Sequence, residues 1–274
     1  MKGNRLVRHL IMVAIAITAF AISGSAAQKN RGDRGLTCND DSNWNDRLVS
    51  HCEIREETIS GAGSISVDGR QNGGVTVRGW DQNNILVRSR VQAAASTEQE
   101  ARDLAGEISI RTSGGRIYPE GPSTGRYKQW SVNFEVFVPR HTDLSLRAHN
   151  GGISISEVNG RIEFETMNGG VTLNRLAGNV RGNTTNGGLN IILDGDHWDG
   201  EGMDVWTTNG GVTIGVPENY SAHLETSTVN GGLNFGFPIT LQGRLNRDIS
   251  IDLGSGGATL KAVTTNGGVD IRRR

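Results

Sequence analysis

Asn168-Gly169-Gly170-Val171-Thr172-Leu173 decides the fold of this chain. A turn tripeptide runs straight into an apolar, polar, apolar triplet, and the arrangement recurs. Further copies of the tripeptide begin at Asn72, Asn150, Asn186, Asn209, Asn230 and Asn266. A fixed turn followed by a strand, repeated, is the signature of a solenoid. From residue 144 on, the first glycine of each pair falls at 151, 169, 187, 210 and 231, in steps of 18, 18, 23 and 21 residues. Weaker turns lie between them at Val158-Asn159-Gly160 and Leu176-Ala177-Gly178. Each coil is therefore expected to hold two short strands and two turns, with strands of about five residues.

The side chains support stacking. One column after the glycine pairs reads Val75, Ile153, Val171, Leu189, Val212, Leu233, Val269, and another reads Val77, Ile155, Leu173, Ile191, Ile214, Phe235, Ile271. Strand side chains alternate between faces, so both columns are expected to point inward. The column between them, Thr76, Ser154, Thr172, Asn190, Thr213, Asn234 and Asp270, then faces out. A second row precedes each asparagine, with Ile162, Val180, Met203 and Leu224 inward and Glu163, Arg181, Asp204 and Glu225 outward. The first three of these charges alternate in sign and can pair across coils. Glycine enters left-handed backbone at no steric cost and Asn tolerates it, which suits both to the turn. Stacked Asn amides can also hydrogen-bond along the axis.

The ends bound the compartment. Lys2, Arg5 and Arg8, an uncharged run from Leu10 to Ile22, and Ser25-Ala26-Ala27 read as a secretory signal over residues 1–27. No later stretch approaches membrane-spanning length, so the mature chain is expected outside the cytoplasm, in the periplasm or at the cell surface, with no transmembrane segment. In such a compartment Cys38 and Cys52 are expected to pair. The small loop they close would contribute about 3 kcal/mol. Net charge is −1, so nothing argues for a nucleic-acid partner. Glycine supplies 39 of 274 residues, about twice the usual share, and the excess sits in the turns.

Four segments are expected: the signal at 1–27, a polar lead-in at 28–57, a β-rich part at 58–143 with one short helix at 96–105, and β-solenoid repeats at 144–274. The fold class is all-β, a β-solenoid of stacked two-strand coils with Asn-Gly-Gly turns. The register fails after Phe237, where Gly231 and Gly267 are 36 residues apart. Ser255-Gly256-Gly257 with Ala258-Thr259-Leu260 is assigned to the opposite row. The last coil ends in Val269-Asp270-Ile271, and Arg272 to Arg274 are read as guarding a terminal edge.

Several features together carry a resemblance. They are the exported N-terminus, strands around Ile85 and Ile108 flanking the STEQEARDLA helix, the segment NFEVFVPRHTDLSLRAHNGG, and the Thr-x-Asn-Gly-Gly turns. Over roughly residues 59 to 274 the chain resembles the bacterial putative-adhesin family of Gly-rich β-strand-repeat domains, a domain of unknown function. The resemblance implies an extracytoplasmic, surface-associated role and brings no catalytic residues. The Cys38/Cys52 lead-in and the long turn near Asp194 depart from the family pattern.

The polar constellations are weighed against that background. Asp194, Asp196, Asp199 and Glu201 can offer oxygen ligands to calcium. However, Trp198 takes a ligand position of the calcium-loop template and Asp199 the glycine position. A solvated turn insertion is favoured and no cofactor is expected. Thr172, Asn190, Thr213 and Asn234, with the aromatic rings of Trp206 and Trp198, form the expected ligand face. Its expected partner is a cell-surface or cell-wall glycan, or another envelope protein. No nucleophile motif is present. Glu163, Glu165 and Arg181, with Asp204, are the best catalytic candidates, and a structural ion pair explains them better. The reading is a non-enzymatic adhesin-like or scaffolding protein. The alternative is a polysaccharide-processing β-helix enzyme, a lyase or glycosidase.

Overall fold

A computed structural model of the chain describes residues 35–38, 47–238 and 247–274. The expected signal and much of the lead-in, Trp44 included, lie outside the described residues. The strands run β1 (Val49–Ser60), β2 (Ser64–Asp68), β3 (Val75–Trp80) and β4 (Asn84–Ala95), then helix α1 (Glu98–Glu107). There follow β5 (Ser109–Arg111), β6 (Arg116–Glu120), β7 (Gln129–Pro139), β8 (Asp143–Ala148), β9 (Ile153–Ser156) and β10 (Asn159–Thr166). Next come β11 (Val171–Asn174), β12 (Ala177–Asn186), β13 (Leu189–Ile192), β14 (Gly202–Asn209) and β15 (Val212–Val216). The chain closes with β16 (Ala222–Asn230), β17 (Leu233–Phe235), β18 (Asp248–Leu253), β19 (Thr259–Asn266) and β20 (Val269–Arg273).

The fold is all-β, with two ten-stranded sheets ordered β1-β4-β7-β3-β9-β11-β13-β15-β20-β17 and β18-β16-β19-β14-β12-β10-β8-β2-β6-β5. Both sheets are mixed. The middle pairs are parallel, whereas β1–β4, β4–β7, β16–β18 and β5–β6 are antiparallel. Strands β2 and β3, from the first β-rich stretch, pair in parallel with β8 and β9. The Asn72 turn therefore belongs to the same run as the later turns.

Both expected apolar columns are in register. Ile155 pairs with Leu173 and Leu173 with Ile191, and all three are buried. On the opposite sheet Ile162, Val180, Met203, Leu260 and Leu224 form one buried column. Residues from Thr259 on do join that opposite row. The last two strands are nevertheless not at a sheet edge. Strands β19 and β20 insert between β14/β15 and β16/β17, so Arg272 and Arg273 stand on an internal strand rather than at an edge.

The turns differ from expectation in their cause. No Asn-Gly-Gly turn contains a residue in the left-handed region. Glycine is required because successive turns nearly touch. A Cβ on Gly169 would stand 2.2 Å from the Gly151 carbonyl oxygen, and one on Gly187 would stand 2.1 Å from that of Gly169. The asparagines form an unbroken ladder, each side-chain amide donating to the next carbonyl. The bonds are Asn150 to Asn72 at 3.0 Å, then Asn168 to Asn150, Asn186 to Asn168, Asn209 to Asn186, Asn266 to Asn209 and Asn230 to Asn266, each 2.8 Å.

Two residues before five of the seven asparagines, Thr166, Thr184, Thr207, Thr228 and Thr264 are buried. Each hydroxyl donates to the first-glycine carbonyl of the adjoining turn, as Thr184 does to Gly169 O at 2.8 Å. Alternation alone places this position inward, and the hydroxyl satisfies a carbonyl that would otherwise be stranded in the core.

Helix α1 is N-capped by the Thr97 side chain, which accepts from Glu100 N. Its Ala101, Leu104 and Ala105 are buried with Val91 and Ala93 of β4. The disulfide joins Cys38 to Cys52 of β1. Beside it, Leu36 N donates to Glu135, a buried carboxylate that also meets Arg88 at 2.6 Å. Charge pairing is what allows that carboxylate to sit away from water.

The two glycines of one turn separate these causes. Gly169→Ala is expected to lower stability by about 1–3 kcal/mol or more through the backbone clash. Gly170→Ala, whose Cβ would meet Gly188 O at an ordinary 3.7 Å, should stay within about 0.5 kcal/mol. Urea denaturation of both variants measures the difference. Equal losses would refute close approach as the reason for glycine. In the same assay Asn168→Ala, which breaks two ladder bonds, should cost more than Asn230→Ala, which breaks one.

Candidate functional site

In-register pairing turns single residues into straight exterior columns. On the first sheet Thr76, Ser154, Thr172, Asn190, Thr213, Asp270 and Asn234 follow one another. Asn234 donates to Asp270 at 3.0 Å, and a shallow groove of about 410 Å³ runs past Thr76, Ser154 and Thr172. The expected ligand residues Thr172, Asn190, Thr213 and Asn234 are therefore brought together on one face.

The tryptophans are not on it. Trp206 lies on the exterior of the second sheet, 44 % exposed, between Asn183 and Val263. Trp198 is 6 % exposed, and its indole N–H donates to Gly178 O at 3.0 Å. Its ring is part of the core: the five-residue insertion folds the indole inward against the second-sheet corner. From sequence it was grouped with the exposed side chains because the acidic residues around it read as solvated.

The second exterior face carries a charged stripe. Glu163, Arg181, Asp204, Lys261 and Glu225 are successive register partners, so charge alternates along the whole column. Neighbouring strands stand about 4.8 Å apart. Arg181 thus occupies the place between Glu163 and Asp204 where a glycosidase keeps substrate and water. Glu165 lies on the next exterior column, beside Arg147 and Asn183. Depressions of about 230 and 210 Å³ border the stripe.

The acidic insertion does not converge. Asp196 meets His197 at 2.6 Å, Asp199 accepts from Asn159 at 3.1 Å, and Glu201 accepts from Asn179. Asp194 lines a different cavity, with Arg140, Glu157 and Arg175. Among the described residues no three His, Cys, Asp or Glu side chains come together to hold a metal ion. Among the same residues no helix is long and apolar enough to cross a membrane.

A further charge chain joins the turns after β3, β7, β9 and β11. Arg140 meets Asp81 at 2.6 Å and Glu157 at 2.7 Å, and Arg175 closes on Glu157 from the turn after β11. Glu157 and Arg175 both adopt left-handed backbone at this corner. The Arg140 guanidinium holds the carboxyls of Asp81 and Glu157 below their ordinary values.

Sequence reading missed one cavity altogether. It has a volume of about 560 Å³ and is walled by Arg70, Gln71, Asn72, Ser123, Thr124 and Trp130, among others. Its residues come from three separated stretches, and only Asn72, at the first Asn-Gly-Gly copy, belongs to a motif.

No family model matches the chain, and no curated protein matches it. Solved structures do. A putative cell adhesion protein from Clostridium sporogenes aligns at 10 % identity and a TM-score of 0.41, covering 81 % of this chain and all of its own. A putative adhesin from Bacteroides fragilis aligns at 9 % identity and a TM-score of 0.33, covering 82 % of this chain and 97 % of its own. A putative lipid binding protein from Parabacteroides distasonis aligns at 10 % identity and a TM-score of 0.30, covering 80 % and 96 %.

The corner network makes stability depend on acid. A carboxylate whose pKa is lowered by folding contributes above its unfolded value and loses that contribution as pH falls through the folded one. Glu157 should therefore contribute fully above pH 4.5 and progressively less below it. Glu157→Gln is expected to be less stable than wild type at pH 7 and to flatten the acid limb of a Tm–pH profile. Parallel acid limbs would remove Glu157 from the account.

Proposed function

We propose that this chain is an exported, non-enzymatic adhesin-like or scaffolding protein of the cell envelope. In this reading residues 144–274 are a β-solenoid whose flat polar exteriors bind a repeating partner, a cell-surface or cell-wall glycan or another envelope protein. The observation that carries it is the asparagine ladder, which holds the turns at one spacing and so fixes the outward side chains as columns. A column of short hydroxyls and amides at regular intervals offers the same contact again and again. A polymer with its own repeat can meet such a surface at many weak points, and linked weak contacts add up to avidity.

The polysaccharide-processing alternative needs converging acid and base groups. Glu163, Arg181 and Asp204 stand in line on an exterior column, an arrangement that favours charge pairing over catalysis. The disulfide between Cys38 and Cys52 supports export, because such bridges persist in oxidising compartments.

A glycan array and a cell-wall pull-down with the exported form of the chain test the binding reading. Saturable capture of a polysaccharide is expected, with no release of new chain ends. Trp206→Ala should weaken capture about tenfold if the second face takes part. Unchanged capture would assign binding to the Thr172–Asn190–Thr213 face. Turnover of the polymer, abolished by Glu163→Gln, would overturn the non-enzymatic reading.

A further inference from the structure

The asparagine ladder has a direction, and its two ends are chemically different. Each other rung donates its amide N–H toward Asn72, so Asn72 accepts from Asn150 at 3.0 Å and ends the series with its own amide N–H groups undonated. Among the described residues its own Nδ2 group finds no acceptor. The next strand in that sheet is β7, where the Val132 carbonyl adjoins Gly73, 2.1 Å from a Cβ built there. Ser131, the residue before Val132, stands where a further ladder asparagine would be, and it offers no carboxamide. Hydrogen bonds arranged head to tail polarise one another, so this terminal N–H is a stronger donor than an isolated amide.

The residue that carries this donor borders a prepared space. Asn72 and Ser131 both line the 560 Å³ cavity, a volume within the range of about 300–1,000 Å³ that small-molecule sites occupy. The Trp130 ring forms another wall. It is fixed by its indole N–H, which donates to Pro122 O at 2.8 Å. A Cβ on Gly121 would stand 3.0 Å from the same ring, so the loop packs closely on the indole. Gln71, Ser123 and Thr124 add neutral hydrogen-bonding groups. The two charged residues of the wall are engaged elsewhere: Arg70 with Asp68 at 3.2 Å and over the Tyr118 ring, Glu120 with Arg111 at 2.6 Å. The cavity is thus neutral, aromatic on one side and donor-rich on another. Those features select an uncharged, hydroxylated ring over a phosphate or a charged peptide.

We infer that this cavity binds an N-acetylated amino sugar, whose acetamido carbonyl accepts from Asn72 Nδ2 and whose ring lies against Trp130. The acetamido group is the chemical equivalent of the carboxamide missing at the ladder's end, so the sugar completes the series that the protein leaves open. The site is distinct from the flat faces and shares with the preceding reading only the idea that a glycan is the partner.

The test is titration of the full exported chain with N,N′-diacetylchitobiose, followed by Trp fluorescence and calorimetry, with cellobiose as the sugar lacking acetamido groups. Saturable binding of the acetylated sugar is expected, at least about tenfold tighter than cellobiose. Asn72→Asp keeps the acceptor for Asn150 but replaces the donor, and should weaken the acetylated sugar about tenfold with little effect on cellobiose. Trp130→Ala should weaken both. Gln71→Ala, at an exposed position, gives a variant whose folding is not at risk and should also weaken binding. Equal affinity for the two sugars, or full affinity in Asn72→Asp and Gln71→Ala, would overturn the proposal. So would the absence of saturable binding. Loss of binding in Trp206→Ala but not in Trp130→Ala would also overturn it, while leaving the flat-face reading standing.

Discussion

Backbones at the repeated turn come as close as backbones can. With the first glycines of successive turns in near contact, no side chain larger than hydrogen fits, and the spacing has no slack. The turn solves the resulting polar problem with the two residues that frame it. The asparagine amide carries a donor on one side and an acceptor on the other, so identical rungs satisfy each other. The threonine two positions earlier reaches from the core to the glycine carbonyl of the adjoining turn. These contacts fix the register of both sheets together. A slip of one residue would expel every Ile and Val of a strand from the interior. The apolar columns and exterior columns therefore inherit their alignment from the turn.

The same uniformity leaves the order of the repeated strands open. Thr184-Thr185-Asn186-Gly187-Gly188, Thr207-Thr208-Asn209-Gly210-Gly211 and Thr264-Thr265-Asn266-Gly267-Gly268 are identical pentapeptides, and the ladder cannot tell them apart. Charge supplies the missing information. A strictly sequential stack would set Asp204 of β14 directly beside Glu225 of β16, and like charges in register oppose pairing. With β19 inserted, Lys261 lies between them and the column alternates from Glu163 to Glu225. Each neighbour contributes only about 0.2–1 kcal/mol, yet the alternative arrangement has the opposite sign.

What could be read from the sequence follows from this division. The columns through Ile155, Leu173 and Ile191 were legible because strand alternation and a fixed turn leave one solution. The inward threonine was not singled out, although Thr-x-Asn-Gly-Gly recurs and alternation along the strand sets its direction. The place of β19 and β20 was not legible, because chain order and spatial order part company after Phe237 and only a charge pattern records it. The glycine argument reached the right residue through the wrong cause, since sequence shows that a side chain is excluded but not by what. Trp198 was misplaced because the insertion holding it lies outside the period, where alternation says nothing about direction. The cavity at Trp130 was invisible for a related reason: Gln71, Ser123 and Trp130 are far apart along the chain and belong to no repeat.

Repetition is good at building a surface and poor at building a site. Each internal rung meets a neighbour on either side, so its amide, hydroxyl and carbonyl groups are consumed by the stack. Only where the repeat stops are strong hydrogen-bonding groups left without a partner of their own kind. The polarity of the ladder makes those two places unlike: a donor at Asn72, and an acceptor at Asn230, which no donor reaches among the described residues. At the Asn72 end the chain has placed a fixed indole and a ring of neutral polar side chains around the open donor. At the Asn230 end Asn230, Gly231 and Gly232 are all exposed. In the proposed reading the extended faces would give many equivalent weak contacts and the cavity at the Asn72 end one specific contact, so a single polar ladder that begins in one place and ends in another would supply both kinds of surface.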